Sequence, residues 1–241
     1  MSAIIVETEK RGSSFAELLT IAEQDDWVYS DGKSTSCVAF ILEMYKEVCP
    51  STIGHMTDFG FLKGLRPLQQ DFHFAGPAVT VKIPHMDGVA IHKSIDMVQE
   101  GDVVVIDTSG DYERAPVGEI VAYAYQHKKA AAVIIDGCAT DVRAVRKMNM
   151  PVFCRGISPL TTRRLGIEGA VNVPVCVCGV VVNPGDLVVG DDDGVFVVSP
   201  ELAEDYGKKA IAKQNGEPAL KARIDKGESL PEINGSAGFF K

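Results

Sequence analysis

The spacing of apolar residues before position 50 is helical. Two groups recur at intervals of three and four and predict two helices. The first group is Phe15, Leu18, Leu19 and Ala22, and the second is Val38, Ile41, Leu42, Tyr45 and Val48. A polar loop over 49–67 follows them. We therefore expect helical additions over residues 14–48, ahead of the main body of the chain.

The pattern changes from Gly76 onward, where short β-branched runs alternate with helical stretches, as is typical of a layered α/β domain. The alternating segments are AVTVKI, GVAIHKSIDMVQE, GDVVVID, PVGEIVAYAYQHKKA, AAVIID, TDVRAVRKMN and PVFCRG. Residues 172–200 then carry apolar runs separated by turn sequences, which predicts antiparallel or mixed sheet without helices. We interpret the chain as one domain, 1–241, with a core of about 76–200 and a C-terminal helix and tail over 200–241.

Composition narrows the class of partner. The chain has 24 Lys and Arg against 33 Asp and Glu, a formal net charge of −9, with 46% hydrophobic residues. This balance disfavours nucleic acid, because binding to phosphate needs many basic residues. It suits a divalent cation, or a small anionic molecule held in a locally basic or metal-bearing pocket. No membrane-spanning or secretory segment is visible, so we expect a cytoplasmic protein that binds no membrane.

The familiar cofactor and catalytic motifs are missing, including the G-x-G-x-x-G, phosphate-loop, H-E-x-x-H and G-x-S-x-G patterns. Six dispersed cysteines indicate reduced thiols, and we interpret the Cys176 and Cys178 pair as packing residues, since no second pair stands at zinc-site spacing. The five histidines also lack ligand spacing. His85 and Asp87 stand at a strand end, where they could line a pocket.

One candidate site lies where GDVVVID leads through a loop, 108–116, into a helix that begins near Gly118 and Glu119. Backbone N–H groups in the first helical turn, those of Glu119, Ile120 and Val121, have no acceptor within the helix and suit a substrate carboxylate. Glu119 could then act as a base or hold a metal-bound water. The alternative is that its charge only complements the helix dipole.

A second candidate site lies in AAVIIDGCATDVRAVRKM, where we expect a buried strand to end at Asp136 and a helix to open at Thr140 and Asp141. Carboxylates at the carboxyl edge of an α/β sheet are where such folds place ligands. Asp141 could bind Mg²⁺, with Arg143 or Arg146 nearby as positive charge. The alternative is that Thr140 or Asp141 only caps the helix.

The segments between Gly76 and Pro200, in order and with matching gaps, resemble one known family. It unites 4-hydroxy-4-methyl-2-oxoglutarate aldolase with the regulator of ribonuclease activity A, and PGDLVVGDDDGVFVV is its most distinctive stretch. The resemblance implies a swivelling β/β/α three-layer sandwich. It also implies a homotrimer or homohexamer with active sites between subunits.

In the aldolases of that family, the chemistry is carried by an acidic residue followed, after twenty intervening positions, by Arg-Asp. Glu119 matches the acidic residue and Asp141 the aspartate, but Thr140 stands where the arginine is expected. The resemblance implies that Asp141 binds Mg²⁺ (or Mn²⁺), that Glu119 positions a proton-shuttling water, and that Glu217 supports the metal's waters from another subunit. The missing arginine would stabilise the enolate of pyruvate, and Arg143, Arg114 or Arg155 could replace it.

Three hypotheses follow for function. The first is a divalent-metal-dependent carbon–carbon lyase, an aldolase or a decarboxylase, acting on an anionic 2-oxo or hydroxy acid. In it, Glu119, Thr140 and Arg143 are the catalytic candidates and Asp141 and Glu217 the metal ligands. The substrate-binding candidates are Gly118, Ile120, Val121 and Asp136. The second hypothesis is a non-catalytic regulator of the ribonuclease-regulator type, and the third is an altered reaction on the same metal-enolate platform.

Overall fold

The computed structural model describes residues 4–7, 27–28, 34–35 and 37–240, with the side chains of residues 40–240. Its strands are β1 (Ile4–Glu7), β2 (Trp27–Val28), β3 (Ser34–Thr35), β4 (Arg66–Pro67), β5 (Phe74–Lys82), β6 (Val103–Asp107), β7 (Ala132–Ala139), β8 (Val152–Ile157), β9 (Glu168–Val171), β10 (Val175–Val177), β11 (Val180–Val182), β12 (Leu187–Asp191) and β13 (Gly194–Val198). Its helices are α1 (Cys37–Tyr45), α2 (Pro50–Ile53), α3 (Val89–Met97), α4 (Glu119–His127), α5 (Val142–Val145), α6 (Pro200–Asp225) and α7 (Leu230–Ile233), followed by a 3₁₀ turn at Ser236–Phe239. The second predicted N-terminal helix is confirmed as α1. The first, around Phe15 and Ala22, lies outside the described residues.

Four parallel strands form the centre of the main sheet, in the order β5-β6-β7-β8. The helices α3, α4 and α5 connect them, as the alternation of strand and helix segments predicts. β9 pairs antiparallel with β5, β1 pairs parallel with β9, and β4 pairs antiparallel with β8. The layered α/β prediction is confirmed.

The central strands are largely apolar because both of their faces are mostly buried. On β6, Val104 and Ile106 point into a core that includes Ala122 and Tyr125 of α4. Val103 of the same strand points the other way, into a second core that also contains side chains of the β10–β11 and β12–β13 hairpins. The sheet is therefore sandwiched between helices on one face and hairpins on the other, a three-layer arrangement.

The β12–β13 hairpin confirms the predicted antiparallel sheet, and its strand β12 also pairs antiparallel with β5. Its inner side chains, such as Val188, join the core beneath the sheet. Its outer side chains, among them Leu187 and Phe196, form a third core with α1, α2 and α6. The helical additions at both ends of the chain thus cover the outside of this hairpin.

The C-terminal helix and tail expected over 200–241 are observed as one long helix, α6, followed by α7 and the 3₁₀ turn. Its first half packs closely on α1, where a Cβ on Gly207 would lie 2.5 Å from the Met44 sulfur. Its second half is exposed and runs through Gly216 and Pro218 to Asp225. Lys–Glu and Lys–Asp pairs at i and i+4 support this solvated helix. No helix within the described parts of the chain is long and apolar enough to cross a membrane.

Replacing Tyr45 tests how α1 is attached to α6. Tyr45 is fully buried, and its hydroxyl donates a hydrogen bond of 2.9 Å to the Ala203 carbonyl. We expect Tyr45→Phe to lower the free energy of unfolding by about 1 kcal/mol, because one buried hydrogen bond is lost. Tyr123→Phe, which changes an exposed tyrosine, is the control, and urea denaturation is the measurement. Equal stability of the two variants would contradict this attachment.

Candidate active site

Four loops meet at one edge of the central sheet, since each follows the carboxyl end of a parallel strand. They are 83–88 after β5, 108–118 after β6, 140–141 after β7 and 158–167 after β8. Backbone bonds join them: Ala115 N donates to the Leu160 carbonyl at 2.8 Å, and Gly88 N donates to the Arg163 carbonyl at 2.9 Å. This edge is where the fold favours a ligand, and it carries most of the predicted site residues.

The structure brings Glu119 and Asp141 together. Val117 forms a bridge with Ala139, and Thr140 N donates to the Val117 carbonyl at 3.0 Å, so the loop before α4 runs beside the end of β7. One carboxylate oxygen of Asp141, Oδ2, then accepts the Glu119 backbone N–H at 3.0 Å. Residues 22 positions apart thereby share one site.

Asp141 stands before α5, yet its side chain does not cap that helix. Its backbone carbonyl accepts the Ala144 and Val145 N–H groups, and its φ of 53° lies in the left-handed region. This conformation leaves the carboxylate to reach the first residue of α4, where the helix dipole favours negative charge. The second oxygen, Oδ1, has no hydrogen-bond partner among residues 40–240, and the side chain is exposed. The simple capping alternative for Asp141 is therefore wrong.

Gly118 makes this contact possible through its size. A Cβ built on Gly118 would lie 2.4 Å from Asp141 Oδ2 and 2.8 Å from Thr140 Cγ2. Its φ of −123° is open to any residue, so the requirement is for space and not for an unusual backbone conformation. The predicted site residue Gly118 thus lies in the site and permits the approach of Asp141.

The start of α4 keeps free hydrogen-bond donors. The first intrahelical bond runs from Ala122 N to the Gly118 carbonyl, at 2.9 Å. Asp141 takes the Glu119 N–H, whereas the N–H groups of Ile120 and Val121 have no acceptor in the described part of the chain. Their position agrees with the expectation of an anion-binding helix start. The Glu119 side chain is exposed at the same place and forms no ion pair with the described residues.

The structure corrects the prediction for Asp136. The strand does not end there; β7 continues to Ala139 with an irregularity after Ile135. Asp136 is buried and faces the hairpin layer, where it pairs with Arg155 Nε and accepts the Cys178 N–H at 2.8 Å. Its carboxylate is used inside the protein, so Asp136 offers no ligand at the carboxyl edge.

The three arginines that could supply positive charge beside Thr140 have different surroundings in the structure. Arg155 is paired with Asp136 in the hairpin layer, and Arg114 Nε lies 3.3 Å from Asp111, so each already has a carboxylate partner; replacement of the missing arginine by either stays a prediction. Arg143 is exposed on α5 and forms no ion pair with any described residue. Its catalytic role stays a prediction, as does that of the half-buried Thr140.

Glu217 lies on α6, far along the sequence from Glu119 and Asp141. It belongs to the exposed half of α6, with its carboxylate 3.9 Å from Lys221 Nζ. Burial raises the pKa of the Cys49 thiol, and the charges of Asp191 and Glu217 add to that effect. The role of Glu217 toward the site of another subunit stays a prediction that one chain does not test.

The same edge carries a basic cleft that was not predicted from the sequence. It encloses about 450 Å³ between α3 and the loop after β8 and is lined by His92, Thr162, Arg163, Arg164 and Leu165. The adjacent arginines after a predicted strand, in PVFCRGISPLTTRR, were the available signal. Two guanidinium groups in a loop at this edge suit an anionic group of a ligand.

Asp87 holds this loop in place. It is fully buried and accepts backbone N–H groups from Val89, Leu165 and Ile167 at 2.5 to 3.2 Å. Burial opposes ionisation of Asp87, but these backbone hydrogen bonds outweigh it and lower the pKa of the carboxyl. Asp87 therefore orders the cleft from beneath and does not line it, whereas His85 is exposed.

The molecule is a layered α/β protein whose candidate site lies at the carboxyl edge of a parallel sheet. Residues 46–197 match the family described as RraA-like (Aldolase/RraA), and the chain belongs to this family. A relative from Halalkalibacterium halodurans, named "Putative 4-hydroxy-4-methyl-2-oxoglutarate aldolase", is 38% identical over 66% of this chain and 76% of its own length.

Two solved structures are similar to the chain. RraAS2 of Streptomyces coelicolor, titled an unusual member of the RNase ES inhibitor RraA protein family, has 27% identity and a TM-score of 0.69, covering 76% of this chain and 98% of its own. A protein of Pseudomonas syringae pv. tomato has 26% identity and a TM-score of 0.72, covering 82% of this chain and 94% of its own. These similarities confirm the family and the fold predicted from the sequence.

Replacing Asp87 tests how the loop of the basic cleft is held. A lowered pKa in the folded state means that the ionised carboxyl stabilises the fold above its unfolded pKa of about 4, and that this contribution disappears as the pH falls through the folded value. We expect Asp87→Asn to lose about 1.5 to 3 kcal/mol at neutral pH. The difference from the unsubstituted protein should shrink as the pH falls below about 4. Urea denaturation at several pH values measures it, and a pH-independent difference would contradict the assignment.

Replacing Gly118 tests the close approach of Asp141. We expect Gly118→Ala to lower the free energy of unfolding by about 1 to 3 kcal/mol, because the added methyl group overlaps the Asp141 carboxylate. Gly216→Ala is the matched control: Gly216 lies on exposed α6 with nothing within 4 Å of an added Cβ. That change should stabilise the protein by up to about 1 kcal/mol, through helix propensity. A loss of stability in both variants, or in neither, would contradict the spatial argument.

Proposed function

We propose that this chain is a divalent-metal-dependent carbon–carbon lyase acting on an anionic 2-oxo acid, of the aldolase or decarboxylase type. The observation that carries the proposal is the contact of Asp141 Oδ2 with the Glu119 N–H, 3.0 Å long, at a helix start with two further free N–H groups. It joins two carboxylates, an anion-binding backbone and solvent access in one place. The name of the Halalkalibacterium relative supports the same class of reaction.

Substrate binding follows from the charges at this edge. The Ile120 and Val121 N–H groups, at the positive end of α4, bind the carboxylate of a 2-oxo acid. Arg163 and Arg164 supply a second anion-binding position in the basic cleft. A substrate with two acidic groups, such as 4-hydroxy-4-methyl-2-oxoglutarate or oxaloacetate, suits both positions better than a monocarboxylic acid does.

The side chains present are compatible with Mg²⁺ or Mn²⁺. Among residues 40–240, no group of three His, Cys, Asp or Glu side chains could hold an ion together. Mg²⁺, however, commonly binds through one or two carboxylates and completes its shell with water and substrate oxygens. Asp141, with Oδ1 free, is the residue that would hold it, and Glu119 lies next to it. A bound divalent cation would supply positive charge where the enolate develops during bond cleavage.

In the proposed aldol cleavage, the bond between C3 and C4 of the substrate breaks. Its electron pair stays on the three-carbon fragment, which becomes the enolate of pyruvate, while the C4 hydroxyl loses its proton and becomes a carbonyl. Glu119, directly or through one water, accepts that proton and returns one to C3. Thr140 can donate one neutral hydrogen bond to the developing charge, which is weaker than a bond from arginine.

The threonine also favours a second candidate. Without the arginine of the family's aldolases, the chain could act as a binding protein like the inhibitor family to which the Streptomyces structure belongs. Decarboxylation, the other reaction within the proposed lyase class, leaves the electron pair of the carbon–carboxylate bond on the enolate as CO₂ departs. The lyase has stronger support than the binding protein, because the carboxylate pair and the free helix donors are both retained.

Pyruvate release tests the proposal. The purified protein should release pyruvate from 4-hydroxy-4-methyl-2-oxoglutarate or from oxaloacetate in the presence of Mg²⁺, and EDTA should abolish the turnover. Asp141→Asn should lower kcat/KM by about a hundredfold or more, as expected for loss of one preorganised charged group. Asp205→Asn, which changes an exposed aspartate on α6, is the control and should keep full activity.

Two results would overturn the proposal. No metal-dependent turnover on either substrate would exclude the lyase in this form, and full activity of Asp141→Asn would exclude the role of Asp141. Capture of a ribonuclease by the inactive protein would then support the second candidate.

A further inference from the structure

A second ionic cluster lies on the hairpin-facing side of β7, and no step of the proposed reaction uses it. Asp136 on β7 pairs with Arg155 on the neighbouring strand β8. The Asp136 side chain is 8% exposed and that of Arg155 is 28% exposed, so the pair is largely removed from water. An ion pair in such a place needs further contacts to offset its desolvation.

Tyr112 supplies one of those contacts. The central carbon of the Arg155 guanidinium lies 4.5 Å from the centre of the Tyr112 ring, a cation–π geometry. Tyr112 belongs to the loop 108–118, which leads directly to Glu119. Arg155 therefore joins a residue of the sheet, Asp136, to the loop that carries the candidate proton-transfer residue.

The same part of the loop is tied to β7 by hydrogen bonds. The Cys138 thiol donates to the Tyr112 carbonyl at 3.0 Å, and the Thr108 hydroxyl lies 2.7 Å from the Asp136 carbonyl. Gly137, between them, has no room for a Cβ, which would lie 2.8 Å from Thr108 Cγ2. The loop thus lies directly on the Asp136–Cys138 segment, and Arg155 stacks on Tyr112, the loop's aromatic residue.

Beyond Tyr112, the loop turns toward the site. It passes the backbone bond from Ala115 to Leu160 and the bridge between Val117 and Ala139, and then reaches Gly118 and Glu119. Tyr112 thus stands seven residues before the Glu119 N–H that Asp141 accepts, on one loop that is bonded to its neighbours along the way. Displacing a catalytic group by about 1 Å can cost a hundredfold in rate.

We propose that Arg155 is a positioning residue for the candidate active site. It acts through Tyr112 and the 108–118 loop to hold Glu119 and the start of α4 against Asp141. This inference rests on the proposed function for its kinetic consequences, but the structural coupling it asserts is independent of any reaction. Arginine suits the role because its planar group pairs with Asp136 and also stacks on a ring, whereas lysine offers only a point charge.

Hydrogen–deuterium exchange of the backbone amides in 117–121 tests the coupling without reference to activity. Tyr112→Ala removes the ring and leaves the Asp136–Arg155 pair intact, so the fold should be retained. We expect exchange of the Glu119 amide to become at least about tenfold faster, because its bond to Asp141 opens more often. Arg155→Lys should have the same direction of effect. Tyr112→Phe, which keeps the ring, should restore the protection, and Phe59→Ala, at an exposed aromatic of a different loop, should change nothing.

The kinetic test separates positioning from general stability. If the lyase activity is present, Tyr112→Ala should lower kcat/KM about ten- to a hundredfold, because both Glu119 and the substrate-binding start of α4 lose their position. The same change made in a Glu119→Gln background should have a much smaller effect, because the group being positioned is already lost.

Unchanged exchange at 117–121 in both Tyr112→Ala and Arg155→Lys would overturn the proposal, whatever the activity. A full effect of Tyr112→Ala in the Glu119→Gln background would also overturn it. Altered exchange in a protein without lyase activity would instead uphold the coupling and reject the proposed function, so the two failures are distinguishable.

Discussion

The hydrogen bond from the Glu119 N–H to Asp141 is the interaction on which the proposed site depends. It joins the start of α4 to the end of β7, and it requires three things of the sequence. Gly118 must lack a side chain, Asp141 must adopt a left-handed backbone, and the 108–118 loop must lie flat against β7. The result is a carboxylate held in a fixed position with one oxygen free, beside free backbone donors.

Although the net charge of the chain is −9, the candidate site also contains local positive charge. At the carboxyl edge, the start of α4 and the Arg163–Arg164 cleft provide positive potential, while Asp141 and Glu119 add two adjacent carboxylates. In the proposed function, an anionic substrate and a divalent cation would occupy neighbouring parts of this one edge. The buried carboxylates Asp87 and Asp136 are structural: each orders a loop from beneath.

The local sequence pattern was sufficient to predict those elements whose structure depends on residues nearby in the chain. The apolar run of β6 predicts a strand buried on both faces, and Glu119 is the first helical residue of α4, as expected. The predicted end of β7 at Asp136 was wrong because an Asp-Gly pair is typical of a strand end. Arg155, 19 residues later, pairs with the Asp136 carboxylate, and the strand continues past it. The basic cleft depends on bonds from Asp87 to residues about 80 positions away, and such long-range partners leave no trace in periodicity.

A crystal structure with Mg²⁺ and oxalate, a planar dianion that resembles the enolate of pyruvate, tests the central claim most directly. The account predicts an ion bound to the free oxygen of Asp141 and an oxalate oxygen within hydrogen-bond distance of the Ile120 or Val121 N–H. It also predicts that the bond between Asp141 and the Glu119 N–H persists. An ion and oxalate bound elsewhere, with Asp141 facing solvent alone, would contradict it.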